Sequence, residues 1–280
     1  MDLRKFIDDL EARASVAIKV EPGDYIKDGL LHCHECNTPK QKRLILLNEE
    51  RTVPCLCQCA TARRDAREAA QKQAEFEAKV RKLRAEAFPT DMMWTWTFDN
   101  DDRANERISN AMQRYADHFD DIRKSDINGL VLFGTVGTGK SYYAACIANA
   151  LVDRGISVMM TSFDRIYNKV QEGFEGRQAF LDCLTRYPLL IIDDLGAEGS
   201  TEFMQKTVFS VIDARAQAGM PLIVTTNLSA DALKKPADER KQRIYSRLLG
   251  MCQPVEVAGP DRRRAKLVKE SKSLKDILGL

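Results

Sequence analysis

Between residues 134 and 141 the chain reads Gly-Thr-Val-Gly-Thr-Gly-Lys-Ser, and no other stretch limits the fold as tightly. The apolar run Leu130–Phe133 precedes it and the helix-patterned Ser141–Val152 follows, so a buried strand has to turn sharply into a helix. Backbone N–H groups that converge at such a turn, with the dipole of the new helix behind them, form a cradle for phosphate oxygens. Gly134, Gly137 and Gly139 permit the tight turn and the close approach, with Thr135, Val136 and Thr138 between them. Lys140 is expected to meet the β- and γ-phosphates and the Ser141 hydroxyl to ligate Mg²⁺, with Tyr142 next in line among the binding residues. An ordinary glycine-rich turn has no packing use for a lysine and a serine at the helix start.

After this loop short apolar runs alternate with helix-length amphipathic segments. The strand candidates are Leu130–Phe133, Ile156–Thr161, Leu189–Asp193, Leu222–Thr226 and Val255–Val257. Alternation of this kind predicts an α/β fold with a parallel sheet and crossover helices. Leu189–Ile192 runs into two acids. Asp193 is expected in the Mg²⁺ shell, and Asp194 at the position of a general base that polarises the attacking water. Pro221–Thr226 ends in Asn227, an amide that can orient water beside the γ-phosphate if its strand neighbours the other two; a loop-capping Asn is the structural alternative.

Composition excludes several classes. Hydrophobic residues make up 44% and charged residues 30%, so the chain is not disordered as a whole, and 43 basic against 41 acidic residues leaves +2, which makes no global case for nucleic acid. No apolar run approaches the ~20 residues of a membrane span. Met1–Leu10 mixes Asp2, Arg4, Lys5, Asp8 and Asp9 into its apolar positions, unlike a secretory leader, so a cytoplasmic location and no membrane partner are expected.

Five of the eight cysteines lie between Cys33 and Cys59. In a chain that reads as cytosolic, that crowding points to metal rather than disulfides. Cys33-x-x-Cys36 forms one knuckle, and Cys57 with Cys59 is the preferred second pair for a tetrahedral Zn²⁺ site. Cys55 is the leading substitute, whereas His32 and His34 flank Cys33 and would strain the knuckle. The stretch Thr61–Ala87 lacks Gly and Pro and predicts a long solvated helix ended before Pro89.

Taken together, the loop at Gly134–Ser141, the string at Ile191–Glu198, Ile223–Ser229 and Arg243–Gly250 resemble the AAA+ ATPases of the DnaC/IstB group, helicase loaders and transposon helper ATPases, over about Phe88 to Glu270. The Cys-rich N-terminal module and the phrase at Cys36–Gln41 favour a loader. The resemblance implies an AAA+ P-loop core binding ATP with Mg²⁺; so little chain follows the arginine cluster that, unlike in many AAA+ relatives, no separate helical lid is expected. Its domains would be a zinc-binding, helicase-docking module at 1–60, a linker helix at 61–87, an ATPase domain at 88–272 and a tail at 273–280.

It also implies an arginine finger acting on a neighbouring subunit's ATP, Arg247 first and Arg243 second, and a sensor arginine in the same subunit, for which Arg263 and Arg264 compete. Asp194 departs from the usual Glu of AAA+ proteins and, one methylene shorter, implies slow hydrolysis.

The implied function is ATP-dependent delivery of a hexameric replicative helicase onto single-stranded DNA during replication initiation, with self-association in a ring or spiral. The alternatives are a transposon target-selection ATPase and a nucleotide-dependent adaptor with negligible hydrolysis. For single-stranded DNA, Arg165, Lys169 and Arg177 are the phosphate candidates; Phe163, Ile166 and Val170 suit a core stripe as well as a stacking surface, and Phe174 belongs with them. Trp94 and Trp96 are expected under the core or beside the adenine rather than on DNA.

Overall fold

The computed structural model describes residues 19–46, 49–171, 180, 182–196, 202–236, 238–263, 267, 271 and 277–278. The chain divides into two units, Met1–Glu77 and Ala78–Leu280. In the first, β1 (Tyr25–Lys27) pairs antiparallel with β2 (Leu30–His32), and β3 (Gln41–Leu46) with β4 (Glu49–Pro54). Asp28 and Gly29 take positive φ of 53° and 75°, which turns β1 back on β2. Helix α1 (Gln58–Ala87) starts three residues ahead of the expected Thr61, so Cys59 sits in its first turn. Thirty residues without Gly or Pro propagate it, and the residue before Pro89 cannot stay helical.

The second unit is built on a five-stranded sheet, β5 (Gly129–Phe133), β6 (Val158–Ser162), β7 (Leu189–Leu195), β8 (Leu222–Thr226) and β9 (Cys252–Glu256), in the order β6-β7-β8-β5-β9. Every pairing is parallel. Helices α2 (Glu106–Asp117), α3 (Phe119–Ile122), α4 (Lys140–Asp153), α5 (Phe163–Gln171), α6 (Glu202–Gln217), α7 (Ala230–Lys234) and α8 (Glu239–Met251) surround it.

Alternate residues of each strand feed opposite core layers: Leu130, Leu132, Leu189 and Ile191 pack with α2 and α4, while Val131, Leu190 and Ile192 pack with α5, α6 and α8. Burial on both faces is why these strands read as continuous apolar runs rather than alternating ones. In α4 the buried Ala144, Ala145 and Ala148 are small enough to bring the helix against the sheet.

Strand ends need correcting: β5 begins one residue before the expected Leu130, and β7 runs past the expected Asp193 through Asp194 to Leu195. The strand expected at Ile156 begins at Val158, because Gly155 (φ 74°) and Ile156, whose N–H donates to Leu151 O at 3.0 Å, are used up in ending α4. The strand expected at Val255–Val257 is Cys252–Glu256, following α8 without a loop. Pro254 hides it in the sequence, yet β9 is an edge strand pairing with β5, where a missing N–H can face outward.

Candidate nucleotide site and metal centre

The glycine loop joins β5 to α4. Gly134, Gly137 and Gly139 have φ of 144°, 82° and 102°, a region that L side chains rarely adopt. Phosphate approach is not the only reason for glycine here. A Cβ on Gly134 would lie 2.6 Å from Val257 O, and one on Gly137 would collide with the Asp261 carboxylate. The segment after β9 lies against the loop, with Val257 N–H donating to Phe133 O at 2.8 Å and Arg262 N–H to Gly137 O at 3.0 Å.

Lys140 Nζ donates to Gly134 O (2.9 Å) and Thr135 O (2.7 Å), and Thr138 Oγ1 to Thr135 O (3.0 Å). Burial pulls the Lys140 ammonium below the ordinary lysine range, against the opposing pull of Asp194 and Asp193.

Sheet order makes β8 the strand between β7 and β5, the neighbourhood that the role of Asn227 requires. Ser141 Oγ donates to Asp193 Oδ1 at 2.7 Å, and Asn227 Nδ2 donates to Asp194 Oδ1 at 2.9 Å. Val136, Gly137, Gly139, Lys140, Ser141, Tyr142, Asp193, Asp194, Asn227 and Arg263 line one cleft of about 830 Å³, within the range of small-molecule sites. Gly134, Thr135 and Thr138 form the loop itself.

Met92 and Trp96 line the same cleft. Asn149 on α4 fixes their segment by donating to Met93 O and Trp96 O, both at 2.9 Å, while Tyr142 Oη donates to Thr97 O at 3.0 Å. The Trp96 and Tyr142 rings lie 5.9 Å apart. Anion-binding backbone, a lysine, a hydroxyl–carboxylate pair and aromatic walls in one cleft fit a nucleoside triphosphate with Mg²⁺.

Sequence reasoning missed three lining residues, Met92, Arg262 and Thr225. Arg262 lines the cleft, stands 3.1 Å from Asp102 Oδ1 and lies over the Tyr143 ring at 5.8 Å; inside a run of three arginines, sequence has no register to single it out. Thr225 accepts from Asp194 N–H and donates to Asp193 Oδ1. Its one signal was the pair of hydroxyls, Thr225 and Thr226, that closes an apolar strand.

Arg247 is not in this cleft: its Nη2 lies 2.8 Å from Asp213 Oδ1, and with Arg243 it lines a separate groove beside Phe209, Gln242 and Ser246. Phe163, Ile166 and Val170 are buried in the core, as the stripe reading has it, with Arg165 and Lys169 outward. Arg264, Phe174, Arg177, Ala197 and Glu198 lie outside the described residues.

In the first unit the sulfur atoms of Cys33, Cys36, Cys57 and Cys59 lie within 4.8 Å of one another. Two of these separations are 3.5 Å (Cys33–Cys59) and 3.3 Å (Cys57–Cys59), near the ~3.8 Å edge of a tetrahedron with Zn–S bonds of about 2.3 Å. The turn is set by Asn37 at φ 56°, with its N–H on Cys33 O at 2.9 Å. Thr38 Oγ1 accepts from Gln58 N–H (2.9 Å) and so donates to Cys36 Sγ (3.0 Å), the largest influence drawing that thiol down to about 5.

Cys55 is turned away, its thiol on Pro39 O at 3.5 Å. His32 Nδ1 bonds Leu30 O and His34 Nδ1 bonds Asp24 Oδ1. The donor set, sulfur from four converging cysteines, suits Zn²⁺.

A parallel sheet with a phosphate loop after β5, two acids near the end of β7 and an amide just past β8, the strand between those two, defines a P-loop nucleotide-binding protein of the AAA+ class. A family model described as IstB-like ATP binding protein matches residues 56–271. The chain belongs to that family.

Among relatives, the replicative helicase loader DnaI of Bacillus subtilis (strain 168) is 26% identical over 147 residues, 48% of this chain and 47% of the relative. The replicative helicase loader DnaC of Escherichia coli (strain K12) is 28% identical over 137 residues, 48% of this chain and 54% of the relative. The chain thus spans about half the length of the curated relatives it matches. A crystal structure of DnaI superposes with a TM-score of 0.53 at 22% identity, over 65% of this chain and 99% of that one, a likeness of fold. No helix among the described residues is long and apolar enough to cross a membrane.

Proposed function

We propose that this chain is an ATP-dependent loader that delivers a hexameric replicative helicase onto single-stranded DNA at replication initiation. The observation that carries the reading is the convergence of Lys140, Ser141, Asp193, Asp194 and Asn227 on one cleft in a chain whose relatives are named helicase loaders. Lys140 and the loop amides bind the β- and γ-phosphates, and Arg263 senses the γ-phosphate from the same subunit. Ser141 and Asp193 hold Mg²⁺, which when bound offsets charge on the phosphate oxygens. Asp194 takes the proton of the attacking water, and Asn227 holds the carboxylate that does so.

Hydrolysis is slow, because an Asp reaches less far than a Glu. Zinc on Cys33, Cys36, Cys57 and Cys59 holds the module, at 1–60, that docks on the helicase; the helix of 61–87 links it to an ATPase domain at 88–272. Arg165 and Lys169 contact DNA phosphates. Arg247 leaves Asp213 on assembly and serves the nucleotide of the next subunit in a ring or spiral. The protein works in the cytoplasm.

Co-elution with a hexameric replicative helicase, retained without ATP and lost on zinc removal, is the expected result. Binding to duplex DNA with no affinity for helicase would instead favour the target-selection ATPase. Lys140→Ala is expected to weaken ATP binding roughly 100-fold, from hydrogen bonds to charged phosphate worth about 3 kcal/mol. Mixed with Arg247→Ala on helicase and single-stranded DNA, it should regain part of the ATPase activity that each lacks alone. Activity no greater than the sum of the two, with assembly verified, would place the finger elsewhere.

A further inference from the structure

Strands β7 and β8 pair in step from Leu190–Leu222 to Ile192–Val224, and pairing resumes at Leu195–Thr226. Two residues of β7, Asp193 and Asp194, therefore face one residue of β8, Thr225. Such a bulge leaves ladder groups without their usual partners. Here the Thr225 side chain fills the gap: Oγ1 accepts from Asp194 N–H at 2.9 Å and donates to Asp193 Oδ1 at 2.6 Å.

A hydroxyl has one hydrogen, so these two bonds fix its orientation. Thr225 lines the cleft yet is only 1% exposed. The next residue closes the far side of the bulge, Thr226 Oγ1 donating to Leu195 O at 2.6 Å. Within it Asp194 has φ 65°, a conformation that a non-glycine residue keeps only when its surroundings impose it.

We propose that Thr225 is the positioning residue of the cleft. It aligns Asp193 with Ser141, whose hydroxyl shares the same carboxylate oxygen, and it holds the Asp194 backbone so that its carboxylate meets Asn227. One side chain on β8 thus sets both the metal-facing and the water-facing acid. The inference rests on the reading of the cleft as a Mg²⁺–ATP site.

Valine has the shape of threonine without its hydrogen bonds, so Thr225→Val keeps the packing and removes one restraint on each acid, leaving Asp193 with Ser141 and Asp194 with Asn227. The affinity of the full-length protein for a fluorescent ATP analogue is to be titrated with Mg²⁺ and again with EDTA. The EDTA affinity of Thr225→Val should match wild type within about twofold, because Thr225 makes no bond to the phosphate loop. The gain in affinity on adding Mg²⁺ should fall about tenfold, the scale of losing a partner that orients a metal ligand. Thr225→Ser keeps the hydroxyl and should restore the gain.

If Thr225 merely fills space, Thr225→Ser, which lacks the methyl, would be the worse variant and Thr225→Val would keep the full gain; that result overturns the proposal. Should Thr225→Val not fold, Thr225→Ala carries the same expectation. A wild-type protein with no Mg²⁺-dependent gain overturns the reading of the cleft and this inference with it, whereas a wild-type gain that Thr225→Val retains removes Thr225 only.

Discussion

Among the described residues between 19 and 77, the buried ones are Cys33, Lys40 and Cys57, whereas β5, β7 and β8 bury Val131, Leu132, Leu189, Leu190, Ile191, Ile192, Leu222, Ile223 and Val224. Among its described residues the first unit offers no apolar core to hold four sulfurs together, so on the zinc reading a bound ion would supply what the core does not. Lys40 reinforces it locally, its ammonium 2.5 Å from Asp24 Oδ2 and holding that carboxyl well below the usual range. In the second unit the order runs the other way. A sheet buried on both faces fixes the strand ends, and the strand ends fix the site before any ligand arrives. On the zinc reading the cysteine cluster is a cause of its fold, whereas the nucleotide cleft is a consequence of the sheet.

Metal removal should give the largest difference between the units. Structural zinc contributes about 10–16 kcal/mol of apparent binding free energy, so a chelator should unfold the first unit while the ATPase sheet keeps its melting transition. Limited proteolysis and elemental analysis check this, with one zinc per chain expected beforehand. Acid should act in the same direction as the chelator, because protons compete for the thiolates; zinc loss that rises with pH would contradict the assignment.

Next in size is Asp194→Asn, whose amide cannot take a proton. Hydrolysis should fall by about 10²–10⁴-fold with ATP binding preserved, and Asp194→Glu should hydrolyse faster than wild type. Equal steady-state rates for all three side chains would show that Asp194 is not the base.

Leu132→Ala, fully buried in β5, should cost about 2–5 kcal/mol, visible as a lower melting temperature of the ATPase sheet. Its zinc content should not change; a loss of zinc would mean that the units do not fold independently. Cys55→Ser should have the smallest effect, leaving zinc stoichiometry and affinity unchanged in a chelator competition, since Cys55 faces Pro39 O rather than the other sulfurs.

The phosphate loop was legible because its chemistry is consecutive: eight neighbouring residues carry the turn, the amides, the lysine and the hydroxyl, and no distant part of the chain is needed to read them. The acids at 193 and 194 and the amide at 227 were legible as polar residues closing apolar runs, although β7 continues through both acids to the buried Leu195. The cysteine quartet was half legible. Spacing gave the Cys33–Cys36 knuckle, but the choice among Cys55, Cys57 and Cys59 turned on where β4 ends and α1 begins, and the first turn of that helix carries Cys59 inward.

What the sequence by itself determined is thus the set of local devices: a glycine turn that phosphate can enter, apolar runs of strand length, a helix free of breakers over 61–87, and cysteines crowded enough to want a metal. Tertiary structure decided how those devices meet. The order β6-β7-β8-β5-β9 put Asn227 and Thr225 beside the two acids, a bulge gave Thr225 its place between them, and the chain after β9 brought Arg262 to the loop and explained Gly137 a second time. The physical reason is one of range. A turn or a helix is fixed by dihedral preferences within a few residues, whereas strand order and side-chain contacts between strands depend on how distant segments share one buried interior.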